Sequence, residues 1–164
     1  MKTKTTISEI THEDLVNLFS TALYSSNYLG ANYDKHPDLE DCECFEDKLA
    51  KSLLNGRSIR FIDYCANGEV HGNLPHEIVE DDSFMSLGDN VTYFITLDEV
   101  KRGLENCANG TFNTRTDVSE DFAMRNAIFA KKSFNAFLME DLDFDYYTAD
   151  CLMQVILFDE IVYG

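Results

Sequence analysis

The stretch Val91-Thr-Tyr-Phe-Ile-Thr-Leu-Asp-Glu-Val-Lys-Arg-Gly-Leu104 contains a strand that leads directly into a helix. Its first residues are all β-branched or aromatic, as is typical of a buried strand. Thr96 and Glu99 have the spacing of a capping box, in which each side chain bonds the backbone amide of the other residue. Apolar residues then recur at helical spacing as far as Cys107, and Asn109-Gly110 predicts the end of the helix.

The sequence around this unit predicts a small sheet. Residues 58–64 are also rich in β-branched and aromatic side chains and predict a second strand. Residues 66–90 are rich in Gly and acidic residues and contain at most one short strand, so we expect an exposed acidic excursion there. Residues 161–163 either add a terminal strand or simply pack. We therefore expect a sheet of about three strands.

The region before the sheet predicts two helices. Thr11 and Asp14 have capping-box spacing, and the apolar residues that follow recur at helical spacing until residues 25–27. A second helix is predicted over residues 41–55, and Gly56 supplies its C-terminal stop. The residues predicted to face inward from this helix are Cys42, Phe45, Leu49 and Leu53.

The C-terminal part predicts two more helices, over residues 118–139 and 147–158. The longest apolar segment, residues 151–158, is interrupted by Gln154 and is too short to span a bilayer. A length of 164 residues is ordinary for one domain. The sequence therefore predicts a helix-dominated α+β fold, with residues 1–164 forming a single domain on a small sheet.

Acidic charge dominates the composition. Thirty Asp and Glu face thirteen Lys and Arg, which gives a formal net charge of −17. The acids gather around residues 38–47, 77–82 and 140–160, and no Lys or Arg follows Lys132. Such a surface repels nucleic acid and anionic lipid and attracts proteins that have basic sites. Twelve Phe and eight Tyr are too many for a disordered acidic tail, so we expect a folded core.

The cysteines and the N-terminus bear on the cellular compartment. Five cysteines at irregular spacing do not fit a secreted disulfide scaffold, so we expect reduced thiols. Cys107 and Cys151 fall on apolar helical faces, where a buried thiol acts as a small hydrophobe. No apolar stretch follows the lysines of residues 1–6. We expect a soluble, cytoplasmic protein.

Two short patterns resemble metal sites but lack essential ligands. Asp141-Leu-Asp-Phe-Asp145 supplies oxygens at the first, third and fifth positions of a calcium loop. Tyr146 then replaces the sixth-position Gly, and Leu152 replaces the bidentate Glu. Cys42-x-Cys44 has too short a spacer for a zinc knuckle. We therefore predict neither a metal nor a cofactor, although His36, His71 or His76 could still join these cysteines through tertiary proximity.

Motifs for catalysis are also missing from the sequence. There is no nucleophile elbow and no Gly-rich phosphate loop. The paired carboxylates Asp81-Asp82 and Asp141 with Asp143 suit acid–base chemistry, but such pairs arise by chance among thirty carboxylates. We predict a protein that is not an enzyme. The alternative of a metal-dependent or hydrolytic enzyme built on Cys, His and Asp clusters stays open, as does a structural or assembly accessory that uses exposed tyrosines.

The charge itself suggests a function. Carboxylates at phosphate-like separations can occupy the basic groove of a nucleic-acid-binding protein, driven by counterion release and by arginine contacts. We predict an acidic interaction protein whose partner is a basic protein surface and which does not bind nucleic acid directly. The alternative is that the charge only keeps the domain in solution. The predicted partner-binding residues are Asp38, Glu40, Asp41, Glu43, Glu80, Asp81, Asp82, Asp141, Asp143 and Asp145.

Three segments carry a resemblance to known proteins. The chain ends in Ala149-Asp-Cys-Leu-Met-Gln-Val-Ile-Leu-Phe-Asp-Glu-Ile-Val-Tyr-Gly164, and it also contains Glu13-Asp-Leu-Val-Asn-Leu-Phe-Ser-Thr-Ala-Leu23 and the segment 94–104. These stretches resemble a family of small, uncharacterised acidic proteins encoded by phages and mobile elements of gut bacteria. The match covers about a third of the chain. Members usually have a Gly-Gly pair and a Trp where Ser25-Ser-Asn-Tyr28 stands here.

The resemblance implies a mobile-element origin and transfers no catalytic motif. It favours a counter-defence inhibitor or nucleic-acid mimic that binds a host protein. In size and charge the chain also resembles antirestriction DNA mimics, with which it shares composition and no motif.

Overall fold

A computed structural model describes residues 9–24, 26–80, 88–112, 119–139 and 143–163. A short 3-10 turn, Pro37–Leu39, precedes the second helix. In chain order the helices and strands of the described ranges are α1 (His12–Tyr24), β1 (Leu29–Asn32), α2 (Phe45–Leu54), β2 (Ile59–Asp63), β3 (His76–Val79), β4 (Asn90–Ile95), α3 (Leu97–Asn109), α4 (Glu120–Met139) and α5 (Tyr146–Phe158).

The strands form an antiparallel sheet in the order β1-β2-β4-β3. In the two central strands Phe61 pairs with Tyr93, and Ile59 pairs with Ile95. Alternate residues of β2 are fully buried, so one face of the sheet lies against the helices. The α+β prediction is confirmed, with four strands where about three were expected.

The additional strand is β1, whose sequence Leu-Gly-Ala-Asn has little strand propensity. It lies at one edge of the sheet and, among the described strands, pairs with β2 alone. A Cβ on Gly30 would come within 2.7 Å of Cε2 of Tyr64, so the tyrosine ring occupies the space above this glycine. Backbone pairing and this close approach, rather than side-chain propensity, explain the strand.

Helix α5 is the centre of the helical layer and contacts α1, α3 and α4. Every residue from Cys151 to Phe158 is buried, which is expected of a helix that is apolar on all sides. The Phe158 ring lies 5.4 Å from that of Tyr93, and the Phe19 ring of α1 lies 5.5 Å from Phe61. These aromatic contacts join the helices to the central strands.

The predicted helix starts are confirmed for α1 and α3. The Thr11 amide donates to Asp14 at 2.9 Å, and the Thr96 amide donates to Glu99 at 2.7 Å. By contrast, α2 begins at Phe45, because the 3-10 turn and the Cys44 cap occupy the residues before it. The prediction that Phe45 faces inward is wrong, since its side chain is 39% exposed.

The two halves of α4 differ in burial. In α4 the second half is anchored by buried Phe134 and Phe137, whereas Phe122 and Ile128 in the first half are exposed.

Residues 161–163 pack against the core and form no strand. None of the described helices combines the length and apolar content that crossing a membrane requires.

Candidate functional site

A cleft of about 760 Å³ opens beside the first half of α5, between α4 and the turn that precedes β1. This volume is within the range usual for ligand sites. Aromatic, amide and carboxylate side chains share its walls, and none of the described lining residues is basic. They are Asn27, Tyr28, Asn126, Phe129, Asp145, Tyr146, Tyr147, Thr148, Asp150, Cys151, Gln154, Ile161 and Tyr163.

A half-buried carboxylate, Asp150, lies in the wall of the cleft. The Tyr28 hydroxyl donates to its Oδ1 at 2.6 Å, and Nε2 of Gln154 donates to its Oδ2 at 2.8 Å. Asp150 and Gln154 are four residues apart in α5 and therefore lie on the same helical face. The two donors fix the orientation of the carboxylate.

Gln154 also holds the C-terminal segment in place. Its Oε1 accepts hydrogen bonds from the amides of Val162 and Tyr163, each at 2.8 Å, while Nε2 donates to the Tyr163 carbonyl at 2.9 Å. Together with the bond to Asp150, these contacts use all the hydrogen-bonding capacity of the buried amide. The C-terminal segment is thereby fixed against α5.

A second carboxylate lies behind the cleft. Asp63 at the end of β2 is fully buried, and it accepts hydrogen bonds from the Tyr163 hydroxyl at 2.7 Å and the Cys65 amide at 2.9 Å. The rings of Tyr28 and Tyr163 lie 4.6 Å apart. These two tyrosines, whose rings contact each other at an interplanar angle of 50°, therefore connect the two carboxylates.

The environment of the cleft disfavours negative charge. Burial raises the pKa of Asp150, although the hydrogen bonds from Tyr28 and Gln154 oppose this effect. Burial likewise raises the pKa of Asp63, against the opposing bond from Tyr163. Desolvation and then the Asp150 charge raise the pKa of Tyr28, so this phenol stays protonated and donates. Among described groups no cation contributes to the pKa of Asp150.

The start of α5 is fixed by a capping box at the edge of the cleft. The Thr148 amide donates to Asp145 Oδ1 at 3.0 Å, and the Asp145 amide donates to Thr148 Oγ1 at 2.8 Å. Of the seven predicted partner-binding residues that the structure describes, Asp145 is the one that lines the cleft. Its carboxylate therefore has a structural role in addition to any role in binding.

Asp38 also has a structural role. Its carboxylate accepts hydrogen bonds from Arg57 at 2.8 Å and from Asn55 at 2.6 Å, and it lies 2.8 Å from His36 Nδ1. Desolvation alone would raise the pKa of Asp38, but the bonds from Arg57 and Asn55 outweigh it and lower the pKa. This residue joins the 3-10 turn to the end of α2.

The remaining described acids of the predicted set are exposed: Glu40, Asp41, Glu43, Glu80 and Asp143. The first four form no ion pair with another described residue. Asp81, Asp82 and Asp141 lie outside the described residues.

The sheet separates the acidic residues of the segment 38–43 from Glu80. Asn32, the last residue of β1, pairs with Arg60, which in turn pairs with Phe94 near the end of β4. Val79, the last residue of β3, pairs instead with Asn90 at the start of β4. The two outer strands therefore end at opposite corners of the sheet, about 14 Å apart across it and about 13 Å apart along it. Residues 38–43 follow one corner and Glu80 follows the other.

The residues of the metal hypothesis lie apart. In the described part of the chain, no three His, Cys, Asp or Glu side chains come together as metal ligands. His71 is 3.2 Å from Glu160, whereas His36 is bonded to Asp38. All five cysteines are free, and Cys107 and Cys151 are buried as predicted. Burial raises the pKa of Cys151 to about 12, so its thiol is unreactive at neutral pH.

The comparisons with known proteins give no match: no protein-family model, no curated protein and no solved structure matches the chain. The resemblance to phage-encoded proteins therefore stays a prediction, and the candidate site depends on geometry alone.

Sequence reasoning did not find the residues of the cleft. Tyr28, Asp150 and Gln154 are ordinary in sequence, and the first two are separated by 122 positions along the chain. One signal was present. Gln154 interrupts an otherwise apolar segment, and an amide in a buried helix must find partners.

Proposed function

We propose that this protein is a non-enzymatic, cytoplasmic interaction protein whose acidic surface occupies a basic site on a host protein. The site would be a nucleic-acid-binding groove, and the role would be that of a mobile-element counter-defence inhibitor. The observation that carries the proposal is the unneutralised charge of Glu40, Asp41, Glu43 and Glu80, which are exposed and form no ion pair with another described residue. Such carboxylates attract a basic partner and displace its counterions.

The described contacts favour this proposal over the hydrolytic alternative. The Asp150 carboxyl in the cleft has a raised pKa, but no described nucleophile is activated beside it, because the Cys151 thiol is buried and protonated. The metal-dependent variant has no described ligand cluster to support it. A role as a phage assembly accessory has the exposed Tyr147 ring in its favour and no second observation.

A charge-reversal variant tests the proposal. The triple substitution Glu40→Lys, Asp41→Lys and Glu43→Lys leaves the structural bonds of Asp38 intact. The tagged protein is used to capture partners from a bacterial lysate, and the bound proteins are identified and eluted at rising salt. We expect wild-type protein to retain a nucleic-acid-binding protein that salt releases, and the variant to lose it.

A matched variant separates a local effect from net charge. Glu69→Lys, Asp89→Lys and Glu105→Lys change the net charge by the same amount at exposed positions outside the predicted set. This variant should keep the partner. Capture that is insensitive to salt, capture that yields no nucleic-acid-binding protein, or equal losses in the two variants would contradict the proposal.

A further inference from the structure

The carboxylate of Asp150 has capacity for a ligand. Each of its oxygens accepts one hydrogen bond within the protein, from Tyr28 and from Gln154. An ionised carboxylate has about four acceptor positions, so each oxygen retains one. Buried charges are normally paired, yet no described cation pairs with Asp150. The cleft thus offers a two-oxygen acceptor that lacks a positive partner within the described residues.

The aromatic walls of the cleft favour a particular type of cation. The Tyr147 side chain is 72% exposed and that of Phe129 is 41% exposed, and both line the cleft. Tyr146 and Tyr147 pack edge to face, with ring centroids 5.6 Å apart. Cations bind to such rings, and a planar guanidinium both stacks on them and matches the two oxygens of a carboxylate. A lysine ammonium can bind over such a ring, but it lacks the planar pair of donors that matches the two oxygens of a carboxylate.

We propose that the cleft receives an arginine side chain of the partner protein, with its guanidinium on Asp150 and against the rings of Tyr147 and Phe129. This inference rests on the proposed function, because it names the group through which a basic partner would be recognised here. The exposed acids of residues 38–43 then provide long-range attraction, whereas the cleft provides a fixed contact. Asn27 and Asn126 add uncharged amide groups to its walls.

A small probe tests the cleft without the partner. N-acetyl-arginine-N-methylamide is titrated into the ¹⁵N-labelled protein, alongside the lysine and citrulline analogues, the last being the uncharged isostere of arginine. We expect saturable shifts of the Tyr28, Asp150 and Gln154 amides with arginine, weaker binding of lysine and no binding of citrulline. Equal affinities for arginine and citrulline, or arginine shifts located elsewhere, would overturn the proposal.

Two variants locate the binding. Asp150→Asn removes the charge but can still accept from Tyr28, and it should weaken arginine binding about tenfold or more. Asp159→Asn is the matched control at the other end of α5, outside the cleft, and should leave the affinity unchanged. Tyr147→Ala removes an exposed ring without disturbing the core, and it should weaken binding roughly threefold. Should Asp150→Asn not fold, the Tyr147 variant decides, and unchanged affinity there contradicts the proposal.

The outcomes for the cleft and for the acidic surface are independent. If the lysate yields a salt-sensitive basic partner but the arginine probe does not bind, the cleft is not the recognition site and the proposed function stands. If the probe binds but no such partner is captured, the cleft binds guanidinium groups and the proposed function fails.

Discussion

The buried amide of Gln154 organises the candidate site at the scale of a single residue. It orients Asp150 through one hydrogen bond and fixes the backbone of Val162 and Tyr163 through three more. Because the side chain is 1% exposed, water cannot replace these bonds without a local opening. The shape of the cleft therefore depends on this residue.

Replacing Gln154 by methionine should destabilise the protein. Gln154→Met keeps the approximate volume but leaves the amides of Val162 and Tyr163 without their acceptor. Unsatisfied groups of this kind cost about 1–3 kcal/mol each, so we expect a loss of roughly 2–5 kcal/mol in urea unfolding. Hydrogen exchange at these two amides should accelerate as well. Asn135→Met at an exposed site on α4 is the control, and an equal loss in both variants would show that the hydrogen bonds are not responsible.

Contact between helices gives a second test, at the scale of elements. Helices α3 and α5 pack so closely at Gly103 that an added Cβ would lie 2.5 Å from Cγ1 and 2.6 Å from Cα of Ile156. Gly to Ala within a helix normally stabilises it by about 1 kcal/mol. Because backbone atoms of α5 must move here, we expect Gly103→Ala to destabilise by roughly 1–3 kcal/mol.

Thermal or urea unfolding checks the sign of the Gly103 effect. Glu105→Ala, at an exposed position of the same helix, serves as the control and should change stability by less than about 0.5 kcal/mol. A Gly103→Ala variant more stable than wild type would show that the two helices can separate at no cost.

The cap of α5 allows charge and structure to be separated at Asp145. Asp145→Ala removes the acceptor for the Thr148 amide and should cost about 1 kcal/mol in urea unfolding, whereas Asp145→Asn keeps a good capping residue and should cost far less. If Asp145 also contacts a partner through its charge, both variants should bind that partner more weakly. If only Asp145→Ala weakens partner binding, in parallel with its loss of stability, Asp145 acts as a helix cap and not as a partner contact.

At the scale of the whole molecule, burial and hydrogen bonding shift carboxylates in opposite directions. Asp63 and Asp150 have raised pKa values because burial dominates, whereas bonds from Arg57 and Asn55 lower the pKa of Asp38. A carboxyl group whose pKa is higher in the folded than in the unfolded protein stabilises the fold most when the pH is below the unfolded pKa of about 3.9. This stabilisation is lost as the pH rises through the folded pKa. A carboxyl group whose pKa is lower in the folded protein stabilises the fold when the pH is above the unfolded pKa, and this stabilisation is lost as the pH falls.

These shifts predict opposite pH dependences for two matched variants. Relative to wild type, Asp150→Asn should gain stability as pH rises above about 4, because it no longer ionises a half-buried group. As the pH rises through the acidic range, Asp38→Asn should lose stability relative to wild type, because it lacks the ionised carboxylate that Arg57 stabilises. Urea unfolding at a series of pH values measures both differences. Parallel curves for the two variants would contradict the assigned causes.

Local patterns in the chain were sufficient to predict most of the elements. The capping boxes at Thr11 and Thr96, the β-branched run of β4 and the apolar α5 each depend on neighbours within a few residues. Strand β1 was not predictable in this way, because it is stabilised by pairing with β2, thirty residues away. The exposure of Phe45 was missed for a similar reason, since tertiary packing decides which face of α2 is covered.

By itself, the sequence determined the α+β class, the helices, the central strands and the excess of acid, because these follow from local periodicity and composition. Only the tertiary structure decided where polar groups meet. It joined Tyr28 to Asp150, Asp63 to Tyr163 and Asp38 to Arg57, and in the first two pairs the bonds satisfy a side chain, Tyr28 or Asp63, that burial deprives of water. The physical reason is range: helices and strands form through neighbouring residues, whereas a cleft needs partners that lie far apart in the chain.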